Sequence, residues 1–334
     1  MKKVLLFLAA ILVANFAQAN NTNVERDSSW KRTAGIGLDL GQLAMINPKI
    51  GSGENRINIG GAATFALNYK KGHIAWDNNL GAIFGVQKLG TGFVPGLTPG
   101  ANVTKAFQKS ADELRATSKV GYSLKKDSKW FIAADFSALS QLTATYDNNL
   151  MTDKSGKGAL AEFLSPAIFT AALGIDYKPA SNFSIFYAPV SWRGVMVKNK
   201  VIGARSIGAA TVGESFGLAK GATLNSSAGS LLRGVYTDKF LDKKLVFNSN
   251  LALFGGYKAG SGIKMDWANQ IGWNIYKGLQ LSLGANAFYD KEIKVQVSDK
   301  NAVNGIKVDA SGKQVLEARV SLIEQLLLKY STTF

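Results

Sequence analysis

Few residues in this chain have the types and spacing that chemistry demands. His73 is the single histidine, and cysteine is absent. A lipid-cleaving serine hydrolase needs a base beside its nucleophile, and His73 is the one imidazole that can serve. It follows Lys70-Lys71-Gly72, a turn signal, so an interfacial turn histidine is the preferred reading and no enzyme is expected. Without a thiolate, and with one imidazole, the chain offers little to zinc or another transition metal. Gly35-Ile36-Gly37 and Gly255-Gly256 lack the Lys-Ser/Thr and the helix that a phosphate loop requires. Asp153-Lys154-Ser155-Gly156-Lys157 reads as a loop tip, and Asp299-Lys300-Asn301 is too sparse for a calcium loop. No cofactor is expected.

What remains is a scatter of isolated charges: Asp39, Asp77, Arg115, Lys119, Asp135, Asp176, Asp266, Glu317 and Arg319. Carboxylates such as Asp77 and Asp176 suit acid–base work, but ion pairing with Arg115, Lys119 or Arg319 on a shared polar face is the better reading. These charges recur with a period of two. Ile57, Ile59, Ala63, Phe65, Leu67 and Tyr69 alternate with Asn58, Gly60, Ala62, Thr64, Ala66 and Asn68. Leu114, Ala116, Val120 and Tyr122 oppose Arg115, Thr117, Lys119 and Gly121, and Phe169, Leu173 and Ile175 oppose Thr170, Gly174 and Asp176. Such alternation marks strands with one apolar and one polar face.

About twelve strands are expected, near 31–43, 57–70, 73–87, 112–124, 129–142, 167–178, 182–195, 228–238, 244–257, 264–276, 279–289 and 315–333. Most run ten residues or more, whereas globular strands average about 5–6 and tilted membrane strands need ~9–11. A hairpin within Ser206–Gly217 raises the alternative of fourteen, but its weakly apolar content favours a loop. Pro189 falls inside the seventh strand and cannot donate a ladder bond, which predicts a break or bulge there. Short connections near 69–72, 125–129, 178–182, 238–244 and 276–278 alternate with long ones near 44–56, 88–111, 143–166, 196–227 and 290–314; the loop at 258–263 is the brief exception. That is the pattern of an all-β transmembrane antiparallel barrel, with short periplasmic turns and long extracellular loops. The charged row is then the lumen row.

Export fits this reading. Lys2 and Lys3, the uncharged run Val4–Ala14 and Ala17-Gln18-Ala19 form the three parts of a cleaved signal peptide over residues 1–19, leaving 20–334 as one barrel domain. Net charge is +16 over the whole sequence, and an exported basic chain meets anionic lipid and sugar phosphate sooner than nucleic acid. Lysines fill every short turn: Lys70, Lys71, Lys125, Lys126, Lys129, Lys178, Lys239, Lys243, Lys244 and Lys277. They are expected to snorkel at the head groups. The last strand places Leu316, Ala318, Val320, Leu322, Leu326, Leu328, Tyr330 and Phe334 on one row. Tyr330 and the terminal Phe334 resemble the signal read by barrel-insertion machinery. Glu324 breaks the apolar row, which a bulge or a position off the midplane would explain.

Several segments together carry a family resemblance. They are Ile59-Gly60-Gly61, Asn68-Tyr69-Lys70-Lys71-Gly72, Trp76-Asp77-Asn78, Phe84-Gly85-Val86-Gln87-Lys88 and Thr117-Ser118-Lys119-Val120-Gly121-Tyr122. Phe163-Leu164-Ser165-Pro166-Ala167, Gly174-Ile175-Asp176-Tyr177-Lys178-Pro179, Asp266-Trp267 and Phe288-Tyr289-Asp290 complete the set. The combination resembles an uncharacterised family of outer-membrane β-barrels of Bacteroidota, catalogued as a domain of unknown function. The resemblance implies the barrel and the outer membrane and supplies no catalytic residues.

Three functions follow from the sequence, in falling order. The first is a passive pore or narrow channel for small solutes, and the second a structural or assembly platform that binds an unknown protein partner through loops or turns. The third is a lipid-modifying enzyme. Outer-membrane lipid and lipopolysaccharide, and the insertion machinery during biogenesis, are the expected surroundings. Nucleic acid is not.

Overall fold

A computed structural model describes residues 29–43, 56–89, 107–125, 128–207, 210–276, 279–297, 307–313 and 315–333. The signal segment, Phe334 and parts of the long loops fall outside these residues. Twelve long strands dominate. They are β1 (Trp30–Leu43), β2 (Arg56–Lys71), β3 (Ile74–Leu89), β4 (Gln108–Ser123), β5 (Trp130–Ser140), β6 (Ala167–Ala180) and β7 (Phe183–Met196). After the two-residue strands β8 (Ser206–Ile207) and β9 (Ala210–Thr211) come β10 (Leu224–Phe240), β11 (Leu245–Gly256), β12 (Ile263–Tyr276) and β13 (Leu279–Tyr289). Another short pair, β14 (Val295–Gln296) and β15 (Leu316–Glu317), precedes β16 (Ser321–Thr333).

The long strands form a closed antiparallel barrel in the order β1-β16-β13-β12-β11-β10-β7-β6-β5-β4-β3-β2. Closure pairs the edges that an open sheet would expose to hydrocarbon, where each unpaired backbone group costs several kcal/mol. The strands run from 11 to 17 residues, enough for a tilted strand to cross the ~9–11 residue hydrocarbon span. Their outward rows are apolar and exposed: Leu38, Phe65, Leu80, Ile132, Leu173 and Leu283 are examples. Moving each of these into hydrocarbon is worth roughly 1.5–3 kcal/mol. This is a transmembrane barrel.

Polar residues on the outer wall are handled in a repeated way. Trp76 donates its indole N–H to Ser118 at 2.9 Å, and Ser118 donates to Asn78 at 2.8 Å. On the other side of the barrel Trp267 donates to Ser249 at 3.1 Å, and Ser249 to Asn269 at 2.8 Å. Both trios take Trp and Asn two apart on one strand and Ser directly opposite the Asn. The hydroxyl is thereby satisfied without water.

The bulge predicted at Pro189 is present. Ala188 pairs with Leu231 and Ser191 with Gly229, so Pro189 and Val190 oppose one residue, and the β6 ladder shifts at the same place. Tyr257 donates its hydroxyl to the freed carbonyl of Pro189. The neighbouring backbones crowd in at glycines: a Cβ on Gly174 would lie 2.1 Å from the Tyr187 carbonyl, and one on Gly229 2.3 Å from that of Gly255.

Three boundaries differ from the sequence reading by more than two residues. β4 starts at Gln108 rather than 112 because a bulge at Ser110 breaks the period of two. β10 starts at Leu224 rather than 228, since Asn225-Ser226-Ser227 pair with β7 although they lack alternation. The last barrel strand starts at Ser321 rather than 315, because its ladder with β13 ends at the Phe288–Ser321 pair, one residue short of the end of β13. Leu316 and Glu317 pair with β14 instead. Ser206–Gly217 adds no strand to the barrel: β8 and β9 pair only with each other, beside short helices at Lys200–Ala204 and Val212–Ser215. Glu324 keeps register with Ala285 in an unbroken ladder, so no bulge displaces that row.

Candidate functional site

The lumen of this barrel is its one concentrated polar region among the described residues. At the end bearing the short turns it holds an ionic layer. Lys119 of β4 contacts Asp176 of β6 at 2.8 Å, and Lys178 contacts Asp77 at 3.0 Å and Asp176 at 3.6 Å. Arg233 of β10 donates Nη1 to both oxygens of Asp135 on β5, at 2.6 Å each. The alternation of β4, β5 and β6 brings these groups to the same face, and the register sets Lys119 opposite Asp135. The Asp135 and Asp176 side chains are each 2% exposed, so removing one partner strands a buried charge at a cost of about 3–5 kcal/mol.

Interleaved with this layer and reaching beyond it, Ala133, Ala172, Phe186, Ala188, Leu231 and Phe254 pack together, with Phe186 opposite Asp176 and Arg233 in the ladders. They fill the lumen along the β5–β12 wall. The Lys119 ammonium lies 5.8 Å from the Phe186 ring centre, and Lys264 lies 6.0 Å from that of Phe254. Each cation therefore gains a π face while it is desolvated.

The opposite mouth is capped by chain rather than charge alone. Val195, Val197, Ile202, Val212, Leu218 and Ile293 form a second apolar cluster, against which the wall residues Ile168 and Phe288 pack. The segment after β13 is pinned to the wall: Arg193 meets Asp290 at 2.9 Å, and Lys264 meets Glu292 at 2.7 Å and Asp290 at 3.7 Å. Lys294 N–H donates to the Ser215 carbonyl at 2.8 Å, joining this segment to the second helix. Burial pushes the Glu292 carboxyl up, but the hydrogen bond and charge of Lys264, with Asn225 and Arg193, outweigh it and hold the group below its ordinary range.

Between cap and ionic layer lies a chamber of about 120 Å³. Arg115, Arg193, Arg233, Lys264 and Asp266 line it, together with Thr117, Ser137 and Thr170 and the apolar Ile168, Leu231, Phe254 and Phe288. Arg115 holds Glu113 at 3.1 Å and Asp266 at a loose 3.5 Å, and its side chain is 41% exposed.

Of the charges singled out in the sequence, the fold gathers Asp77, Lys119, Asp135 and Asp176 into one layer and Arg115 and Asp266 into the chamber. Glu317 and Arg319 are a correction. They lie before β16, outside the barrel wall, and pair with each other at 2.7 Å. Lys178 is a second one: it turns inward to Asp77 and Asp176 rather than to head groups, because it shares the inward parity of Asp176. The other described turn lysines, such as Lys70, Lys71, Lys125 and Lys243, are exposed. Asp39 and Tyr330 sit in the β1–β16 ladder by register, and Phe334 lies outside the described residues.

Sequence reasoning missed Arg193, Arg233, Lys264, Asp290 and Glu292. Lys264 and Arg233 were accessible, the first through the parity it shares with Asp266 and the second as a lone charge in an apolar strand. Arg193 was hidden because the Pro189 bulge reverses the parity after it. Asp290 and Glu292 carry no strand pattern at all.

His73 does meet a serine. Its Nδ1 is 3.3 Å from Ser123 Oγ, but also 2.7 Å from the Ser123 carbonyl oxygen. A carbonyl accepts at that distance only when Nδ1 carries the hydrogen, and a protonated Nδ1 cannot take the proton of Ser123. The ring stacks on Tyr122 with centroids 5.5 Å apart. The pair ties the β2–β3 turn to the end of β4.

Comparison with known proteins finds a family model, described as a protein of unknown function (DUF3078), that matches residues 41–146, about a third of the chain. No curated protein matches. Among solved structures, an outer membrane channel from Pseudomonas putida F1 aligns at 11% identity and TM-score 0.37, covering 93% of this chain and 100% of that one. The translocator domain of the autotransporter NalP from Neisseria meningitidis aligns at 9% identity and TM-score 0.33, covering 87% and 91%. The outer membrane channel DcaP of Acinetobacter baumannii aligns at 10% identity and TM-score 0.28, covering 93% and 100%. The fold assignment here rests on the strand ladder itself.

Proposed function

We propose that the chain is an outer-membrane pore with a narrow, off-centre water path for small solutes. One observation carries the reading. Inward-facing Thr64, Asn79 and Ile83 on β2 and β3 are solvent-exposed, as are the side chains of Arg115 on β4 and Asp266 on β12, while the wall from β5 to β11 between them is packed shut. A lumen half filled and half wetted leaves a path much narrower than the bore of a general porin. Refolded protein in planar bilayers is expected to give small, discrete conductance steps. Membranes that take up the protein but never conduct would sink the reading.

The short turns face the periplasm and the cap faces outward in this proposal. The supports are the exposed turn lysines, suited to anionic phospholipid, and the long segments gathered at the other end. A membrane-impermeant amine label on intact cells is expected to reach the 290–314 loop and to spare Lys125 and Lys243. Labelling of those two lysines in sealed cells reverses the topology. The folded cap also favours a second reading, a platform for a protein partner, since loops that serve only a pore need no core of their own. Crosslinking in native membranes tests it, with no specific adduct at the cap as the adverse result.

A further inference from the structure

We propose that the lumen chamber is a binding site for a small organic monocarboxylate with an apolar body of about one ring; the proposal names a solute class for the pore reading and rests on it. Size is the first argument. The chamber holds about 120 Å³, and an apolar cavity of about 150 Å³ accommodates benzene. The chamber is somewhat smaller than that, so a single ring is the most it takes and a disaccharide does not fit.

The chemistry of the lining chooses the head group. Three guanidiniums border the chamber, and each owns five N–H donors. Arg233 directs Nη1 at Asp135 and reaches Ser137 with Nη2 only at 3.5 Å. Arg193 meets Asp290 through Nη2, and Arg115 meets Glu113 through Nε and Asp266 through Nη1. Donors are left over on all three. Among the described residues, no guanidinium nitrogen is fully buried without a hydrogen bond. The Arg115 side chain is 41% exposed and those of Arg193 and Arg233 are 8% and 12% exposed, so the spare donors of Arg115 are the most open ones on the chamber lining.

Acceptors are scarce by comparison. Asp266 is the one carboxylate on the lining, and Asp135 and Asp290 are 2% and 0% exposed behind their own partners. A cationic guest thus finds one carboxylate, already in loose contact with Arg115, beside three guanidiniums and Lys264. A neutral sugar needs acceptors as well as donors and finds mainly donors. A carboxylate brings acceptors only and matches the surplus. Ile168, Leu231, Phe254 and Phe288 give its body an apolar wall. Arg115 is the group best placed to engage the guest, since its hold on Asp266 is long and its side chain is partly free.

Calorimetry on the detergent-solubilised barrel with benzoate, benzyl alcohol and benzylamine tests the site. Benzoate is expected to bind, benzyl alcohol at least about tenfold more weakly, and benzylamine not at all. Arg115→Gln is expected to weaken benzoate by about tenfold while leaving benzyl alcohol unchanged. Thr170→Phe, which fills the chamber without removing a charge, is expected to abolish binding of both, and it keeps the test open if Arg115→Gln misfolds. No heat with benzoate at millimolar concentration, or equal binding of benzylamine, overturns the proposal. Conductance with no benzoate binding overturns the site and spares the pore. Benzoate binding by a barrel that never conducts does the reverse.

Discussion

The β2–β3 wall and the β5–β12 wall share one backbone rule and differ in what they present to the lumen. Both alternate apolar outward and small or polar inward. On β2 and β3 the inward row is mainly Gly, Ala, Thr and Asn, interrupted by Asp77 and Ile83, with Thr64 and Asn79 wetted. On β5–β12 the inward row carries Phe186, Leu231 and Phe254 in its middle and paired charges on either side. The difference teaches that a barrel lumen need not be uniformly a core or a channel. Side-chain size on one arc decides which it is, while the ladder that holds the wall is the same throughout.

The contrast breaks most readily at the buried charges. Asp135→Ala leaves Arg233 without its carboxylate and is expected to cost about 3–5 kcal/mol. Asp266→Ala removes a loose, exposed contact of Arg115 and is expected to cost at most about 1 kcal/mol. Denaturant unfolding in detergent measures both, and equal losses would remove the distinction between the buried and the wetted charges of the lumen. Phe186→Ala is expected to cost about 3–5 kcal/mol and to enlarge single-channel conductance. Unchanged conductance in a folded variant means that the filled arc does not limit the path.

Backbone spacing sharpens the same comparison at smaller amplitude. Gly174→Ala must push Tyr187 away and is expected to destabilise by about 1–3 kcal/mol. Gly81→Ala meets nothing within 4 Å and is expected to stay within about 0.5 kcal/mol of the parent. In the β10–β11 turn, Leu241, Asp242 and Lys243 all have positive φ, between 51° and 67°. Leu241→Gly is expected to stabilise by about 1 kcal/mol, since the left-handed region strains a residue with a Cβ.

The smallest effect lies outside the wall. Asp153 accepts N–H bonds from Gly158, Ser155 and Gly156, and Asp309 is bonded by Ser311 and Lys313, so both carboxyls are held below the ordinary range. With the folded value depressed, each contribution is fully present above the ordinary aspartate value of about 3.9 and is lost as pH falls through the folded one. The protection factors of the Gly156 and Gly158 amides, which take out the intrinsic pH dependence of exchange, are expected to stay flat from neutral pH to about pH 4 and to fall only below it. A loss of protection near pH 6 contradicts the assignment.

The sequence by itself determined the barrel, the strand-to-strand order and the parity of most wall residues. A period of two, strands longer than a globular sheet uses and alternating connection lengths are local properties, and backbone pairing in lipid leaves a closed meander as their outcome. It even located the Pro189 bulge, because a missing N–H is a local fact. Tertiary structure alone decided which inward charges meet. Asp77 and Lys178 are 101 residues apart, as near to neighbours as barrel curvature makes them, and parity says only that both face in. It also decided that Glu317 and Arg319 leave the wall, since a strand ends where its partner ends and not where its own alternation stops. The cap followed the same logic. Asp290, Glu292 and Ile293 have no periodicity to read, and their place is set by Arg193, Lys264 and an apolar cluster drawn from three separate stretches of chain.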